Sequence, residues 1–163
     1  MSEGTFSQLD RFDRRILAEL ARDGRLPVTE LARRVGLSKT PCQNRMRRLE
    51  ARGFIRGYRA VLDPAAMGLG HVTFVEVRLT DTREAALAAF NAAVQGVAEI
   101  EECHMIAGGF DYILKVRSAD IAQYRRVLGE VISSLPHVAS TSTHVSMEAV
   151  KEAITPFTHG THE

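Results

Sequence analysis

The chain has 163 residues, of which 45% are hydrophobic and 25% charged, and its formal net charge is +1. That balance excludes a disordered chain, a collagen-like repeat and a disulfide-dense scaffold, and the length suits one medium domain or two small ones. The near-neutral total conceals a division: residues 1–62 carry 14 Lys and Arg against seven Asp and Glu, a net +7, whereas residues 63–163 carry seven against 13, a net −6.

In chain order, Leu9, Asp13, Ile16, Leu17 and Leu20 fall at helical spacing and predict a helix over 10–21. Asp10 and Asp13 have the three-residue offset of a capping box, and Asp23-Gly24-Arg25 ends the helix, with Gly24 expected in the left-handed C-terminal turn. A short helix follows over 28–35, with Leu31, Ala32 and Val35 as its apolar stripe, broken at Gly36-Leu37-Ser38. A third helix starts after Ser38, an apt N-cap, and continues to about Arg52; Pro41 falls in the first turn, where its missing N–H has no helical partner to lose. Gly53 stops this helix, and Ile55 to Leu62 has the β-branched and aromatic content of a strand or hairpin.

Beyond Asp63-Pro64 the pattern changes. Strands are expected over 72–80, 100–107, 111–117 and 138–150, with Gly108-Gly109 turning between the second and third. Amphipathic helices are expected over 84–95 and from Ile121 to Leu135, the latter closed by Pro136. The order β-α-β-β-α-β is that of a ferredoxin-like sheet, which makes the fold class α+β. The boundaries that follow are 1–62 for a winged helix-turn-helix unit, 63–70 for a linker, 71–154 for the sheet domain and 155–163 for a tail. Val72, Phe74, Tyr112, Leu114 and Val116 are assigned to an outward sheet face, where they leave apolar surface for a second subunit.

The basic third of the chain carries the first chemistry. Residues 28–52 have helix-turn-helix spacing: Ala32 allows close approach, Gly36 makes the turn and Leu37 plugs the corner. Cys42, Met46 and Leu49 mark the buried side of the third helix. Ser38, Lys39, Thr40, Pro41, Gln43, Asn44, Arg47 and Arg48 then form its DNA-facing set. The residue types suit a major groove, since Asn and Gln read adenine, Arg reads guanine and a Thr methyl touches thymine. Arg33, Arg34, Arg56 and Arg59 surround this set and are expected to meet phosphates.

Other classes are argued against. No apolar run approaches the roughly 20 residues of a membrane span, and the N-terminus lacks the apolar core of a signal peptide, which makes the cytoplasm the default location. Cys42 and Cys103 form no CxxC pair, so neither a disulfide nor a zinc site is expected. The six histidines are scattered and no nucleophile or phosphate-loop motif occurs, so no enzyme, metal or cofactor is expected.

Leu9-Asp10-Arg11-Phe12-Asp13, Glu30-Leu31-Ala32, Val35-Gly36-Leu37-Ser38, Thr40-Pro41-Cys42, Arg47-Arg48-Leu49-Glu50, Glu101-Glu102-Cys103-His104 and Gly108-Gly109-Phe110-Asp111-Tyr112 together resemble the leucine-responsive regulatory protein/AsnC (Lrp/AsnC, "feast/famine") family. The resemblance covers essentially the whole chain. It implies a winged helix-turn-helix domain on double-stranded DNA and a ferredoxin-like domain that dimerises, assembles into octamers or similar rings, and binds an amino acid. It further implies effector contacts at Gly108 and Asp111, with Met105, Ile121, His144, Val145 and Ser146 at positions tied to effector response. Glycines let backbone N–H groups approach a carboxylate and an aspartate can pair with an α-ammonium group. His144 and Ser146 depart from the family's more apolar set, which brings proline or another amino acid into consideration beside leucine. The implied function is regulation of transcription in amino-acid metabolism. The alternatives are a ligand-independent, nucleoid-type architectural protein and a sensor domain without DNA affinity; the basic N-terminal third argues against the latter.

Overall fold

The computed structural model describes residues 9–152, and the chain divides into two compact units, one made of the residues up to Val61 with Lys151 and Glu152, the other running Leu62–Val150. The tail expected at 155–163 lies outside the described residues.

The first unit is built from α1 (Arg11–Arg22), α2 (Val28–Val35) and α3 (Lys39–Ala51). α1 begins in a reciprocal capping box: the Asp10 carboxylate accepts the N–H groups of Phe12 and Asp13 at 2.8 and 2.9 Å, and the Asp13 carboxylate accepts that of Asp10 at 3.3 Å. Its other end differs from expectation. Gly24 is not in the left-handed region; Asp23 caps the helix in an extended conformation and its carboxylate accepts the Arg25 N–H, so an Asx turn replaces a glycine turn. α2 does end on a left-handed glycine, Gly36 at φ +78°, and the Leu37 N–H returns to the Ala32 carbonyl at 2.9 Å. Ser38 holds the extended N-cap position of α3, but its hydroxyl makes no capping hydrogen bond. Ile16, Leu31, Val35, Cys42 and Leu49 are fully buried where the three helices meet.

The strand expected over 55–62 is absent. Phe54 and Ile55 tuck against the helical core, with both N–H groups on the Leu49 carbonyl, and the rest of the run is exposed. A strand needs a neighbour to satisfy its ladder, and no described residue supplies one.

The second unit comprises β1 (His71–Leu79), α4 (Glu84–Val94), β2 (Ile100–Met105), β3 (Tyr112–Ser118), α5 (Ile121–Arg126) and β4 (Val138–Val145). The sheet order is β2-β3-β1-β4 with every neighbour antiparallel, the topology anticipated from the element order. β2 and β4 stop at Met105 and Val145, short of the expected ends. The second helix is not uniform either: α5 gives way to a π turn over Val127–Val131 and a 3-10 turn over Ile132–Ser134. Val127 and Ile132 are both buried against the sheet. Five residues of α-helix, at about 100° each, would turn them about 140° apart, and the wider π turn brings them back to one side.

Register corrects the expected outward face. Val75 pairs with Leu114 and Val77 with Tyr112, so Tyr112, Leu114 and Val116 lie on the helix-covered side with Phe90 and Ile132. Phe74 is opposite Lys115 and His144, which sets the other face. Period-2 alternation puts Val72 and Phe74 there and the three β3 residues on the reverse. The uncovered face is therefore mixed in character: Phe74 and Ile113 lie among Lys115 and Arg117, both paired with Glu101, and His144, 3.2 Å from Glu76.

Candidate nucleic-acid and effector sites

α3 presents its polar face because its apolar one is taken. Cys42 and Leu49 are fully buried, which turns Lys39, Thr40, Asn44 and Arg47 outward; Gln43 is half-buried. The side chains of Lys39, Thr40, Gln43, Asn44 and Arg47 make no hydrogen bond or ion pair among the described residues, which leaves their donors and acceptors available. Ser38 and Pro41 are exposed beside them.

Arg48 is placed differently. Asp13, from the first turn of α1, is fully buried, and Arg48 Nη2 donates to both its carboxylate oxygens at 3.0 and 2.7 Å. Arg45 Nη1 donates to Asp13 at 2.8 Å and to Asp10 at 2.5 Å. Burial opposes the charge on Asp10, but the Asp13 N–H and Arg45 outweigh it and hold the carboxyl below its ordinary range. α1 and α3 are thus joined by two acids and two guanidinium groups. The arginines expected at the periphery are also engaged: Arg33 pairs with Glu30 through two hydrogen bonds, at 2.8 and 2.7 Å, and Arg34 bridges Glu30 and Glu19. Hydrogen bonds from Arg33 and then Arg34 lower the Glu30 carboxyl to about 2.

The residues expected around an effector separate into two groups. Met105 ends β2, exposed, and leads into the turn that holds Gly108 and Asp111. Asp111 pins this turn to the end of β1: its N–H donates to Val77, its carbonyl accepts from Ile106, and its carboxylate accepts the Leu79 N–H at 2.7 Å. The Arg78 guanidinium lies about 4 Å from where a Cβ on Gly109 would stand. Ile121, Val145 and Ser146 lie at the opposite end of the sheet, where Val145 pairs with Thr73 and the Ser146 N–H donates to Val72. His144 is one residue further in, paired with Glu76. Thr73 and Leu79 are six residues apart on β1, about 20 Å at strand rise. A single chain does not bring the seven residues together.

The sequence profile of the AsnC-type helix-turn-helix domain matches residues 9–50, and that of the Lrp/AsnC ligand binding domain matches residues 72–156. The chain belongs to the Lrp/AsnC family of transcriptional regulators. It is 63% identical over 148 residues to a proline dehydrogenase transcriptional activator of Rhodobacter capsulatus, with 91% of this chain and 96% of the relative covered. It is 50% identical over 145 residues to the leucine-responsive regulatory protein of Escherichia coli K12, covering 89% and 88%. Among solved structures, a Neisseria meningitidis transcriptional regulator in complex with L-Met superposes with a TM-score of 0.84 at 30% identity, covering 90% of this chain and 94% of that one. An AsnC family regulator from Agrobacterium tumefaciens gives 0.84 at 34%, covering 90% and 95%.

Members of the Lrp/AsnC family are DNA-binding regulators built from these two domains, not enzymes, and this regulator has both. No helix among its described residues is long and apolar enough to cross a membrane. Two features escaped the sequence reading. One is the Asp10–Asp13–Arg45–Arg48 cluster, whose acids were legible only as a helix cap. The other is a polar group at the start of β1, where fully buried Thr73 and Ser118 meet His71, whose Nδ1 is 3.0 Å from the Ser118 hydroxyl, and the Tyr124 hydroxyl meets that of Thr143 at 2.6 Å. No local spacing signals it, because the contacts join four separate elements.

Proposed function

We propose that the regulator reads an operator by laying α3 in the major groove, with Lys39, Thr40, Gln43, Asn44 and Arg47 on the base edges and phosphates and Ser38 and Pro41 at the helix entry. The observation that carries this reading is the exposure of these side chains, half-buried Gln43 apart, and the lack of partners of Lys39, Thr40, Gln43, Asn44 and Arg47 on the side away from Cys42 and Leu49. Two such heads in a dimer fit half-sites about one helical turn apart.

The same reading extends to the effector. Met105, Gly108 and Asp111 of one copy complete a pocket with Ile121, His144, Val145 and Ser146 of another, which explains why they stand at opposite ends of one sheet. The ligand is an amino acid: backbone N–H groups of the glycine turn receive its carboxylate and Asp111 receives its ammonium group. The relatives named as proline dehydrogenase activators favour proline as effector and proline catabolism as target, and the neighbour bound to L-Met supports the amino-acid class. Binding across subunits biases oligomer or head orientation and so changes operator occupancy, without the ligand touching DNA. A regulator of this kind works in the cytoplasm.

Quantitative footprinting on the promoter of a proline dehydrogenase gene, with each of the twenty amino acids in turn, tests the proposal. The expected result is a footprint that proline alters more than leucine does. A footprint unaltered by every amino acid removes the effector reading, and absence of any footprint above random DNA removes the operator reading.

A further inference from the structure

The cluster between α1 and α3 presents an apparent contradiction. Arg45 and Arg48 stand on the recognition helix of a DNA-binding protein, yet their guanidinium groups are turned to Asp10 and Asp13. The side chain of Asp13 is only 1% exposed, whereas that of Arg48 is 49% exposed. A buried carboxylate without a cation is costly, so Asp13 holds these arginines more firmly than a surface acid would. Arg48 donates to both oxygens of Asp13, and Arg45 to one oxygen each of Asp13 and Asp10, which fixes where each guanidinium points.

We infer that Asp13 is a positioning residue that withholds Arg48, and with Asp10 also Arg45, from DNA phosphates, and so raises the regulator's discrimination between operator and random DNA. A phosphate offers these arginines the same acceptor chemistry as a carboxylate. On random DNA, binding consists almost entirely of phosphate contacts, so each arginine freed strengthens it. On an operator the base contacts of α3 add to that sum, and extra phosphate contacts raise both affinities while narrowing their ratio. The same three ion pairs set the orientation of α3 against α1, so the device that aims the reading helix also keeps its inner arginines silent.

The decisive experiment is the salt dependence of full-length protein binding to random duplex DNA, compared for wild type, Asp13→Asn and Arg48→Ala. An asparagine is isosteric and still accepts from Asp10 or one arginine, but it no longer holds two cations by charge. Each additional phosphate contact steepens the log–log slope by about 0.9, which multiplies the loss between 50 and 200 mM salt by about 3.5. Asp13→Asn is expected to steepen the slope by one or two contacts, to tighten random binding at low salt and to lower the operator-to-random ratio. Arg48→Ala, which leaves Arg45 on Asp13, is expected to keep the wild-type slope. A purely structural role for Asp13 would weaken both DNAs without steepening either slope. An unchanged slope in folded Asp13→Asn overturns the inference, as does a slope shallower by about 0.9 in Arg48→Ala. Should Asp13→Asn fail to fold, the Arg48→Ala slope decides alone.

Discussion

The two units of this chain solve the same problem, placing a few polar groups for a ligand, by opposite means. In the helical unit every proposed DNA contact lies at the N-cap or within the first three turns of one helix, so a turn glycine and a buried stripe turn them outward, while ion pairs to Asp10 and Asp13 set that helix against α1. In the sheet unit the proposed effector contacts come from the β2–β3 turn, the start of α5 and the end of β4, and strand register decides where each one stands. Local pattern decides which side chains face outward in the first site, and long-range pairing decides it in the second. The charge division follows the same line: the excess of Arg and Lys belongs to the helical unit, although part of it is bound internally to Glu19, Glu30, Asp10 and Asp13.

A core truncation should break this comparison most severely. Leu31 is fully buried among the three helices, and Leu31→Ala removes its packing from a unit with few alternatives. A loss of about 2–5 kcal/mol is expected. Urea unfolding should show it, and DNA binding should go with it. If operator affinity survives at native strength, α3 does not depend on the helical core for its aim.

Arg47→Ala tests the aim without touching the core, because Arg47 is exposed and holds no partner. Operator binding should weaken by about 1–3 kcal/mol while the unfolding midpoint stays put. Unchanged affinity in a footprinting titration would take Arg47 out of the reading set and leave Lys39, Thr40, Gln43 and Asn44 as its bearers.

How much could be read from residues alone follows from this contrast. The capping box, Gly36, the buried positions Cys42 and Leu49 and the βαββαβ order all rest on contacts within a few residues or on hydrophobic period, and the structure has them. The outward assignment of Tyr112, Leu114 and Val116 was wrong because alternation gives two faces without saying which one the helices cover. The strand over 55–62 was wrong because propensity cannot supply a neighbour. Arg48 was read by its place on α3, while the partner that occupies it, Asp13, is 35 residues away.

Asp111 sharpens the sheet side of the comparison. Its carboxylate accepts the Leu79 N–H, so Asp111→Ala would strand that donor at about 1–3 kcal/mol and loosen the turn along with any ligand contact. Asp111→Asn separates the two roles, since its amide oxygen still accepts from Leu79 but carries no charge. Near-native stability with the amino-acid response of the footprint lost is the expected outcome. A retained response would make Asp111 a pin for the turn and move the ammonium contact elsewhere.

The smallest expected effect concerns the acid limb of stability. Glu30 has its carboxyl lowered from 4.5 to about 2 by Arg33 and Arg34, so the folded state binds its proton less readily than the unfolded chain does. Its contribution is therefore fully present above about pH 4.5 and is lost as pH falls towards about 2. Because Arg33 and Arg34 are exposed and Glu30 is only half-buried, solvent and salt screen the pairs, and the contribution is small. Glu30→Gln should flatten the dependence of the unfolding midpoint on pH across that window and change little near neutrality. The difference between the two proteins should shrink in 1 M salt. If it persists there, Glu30 stabilises the α1–α2 corner by something other than charge, and the internal pairing of the basic unit would have to be sought in Glu19, Asp10 and Asp13.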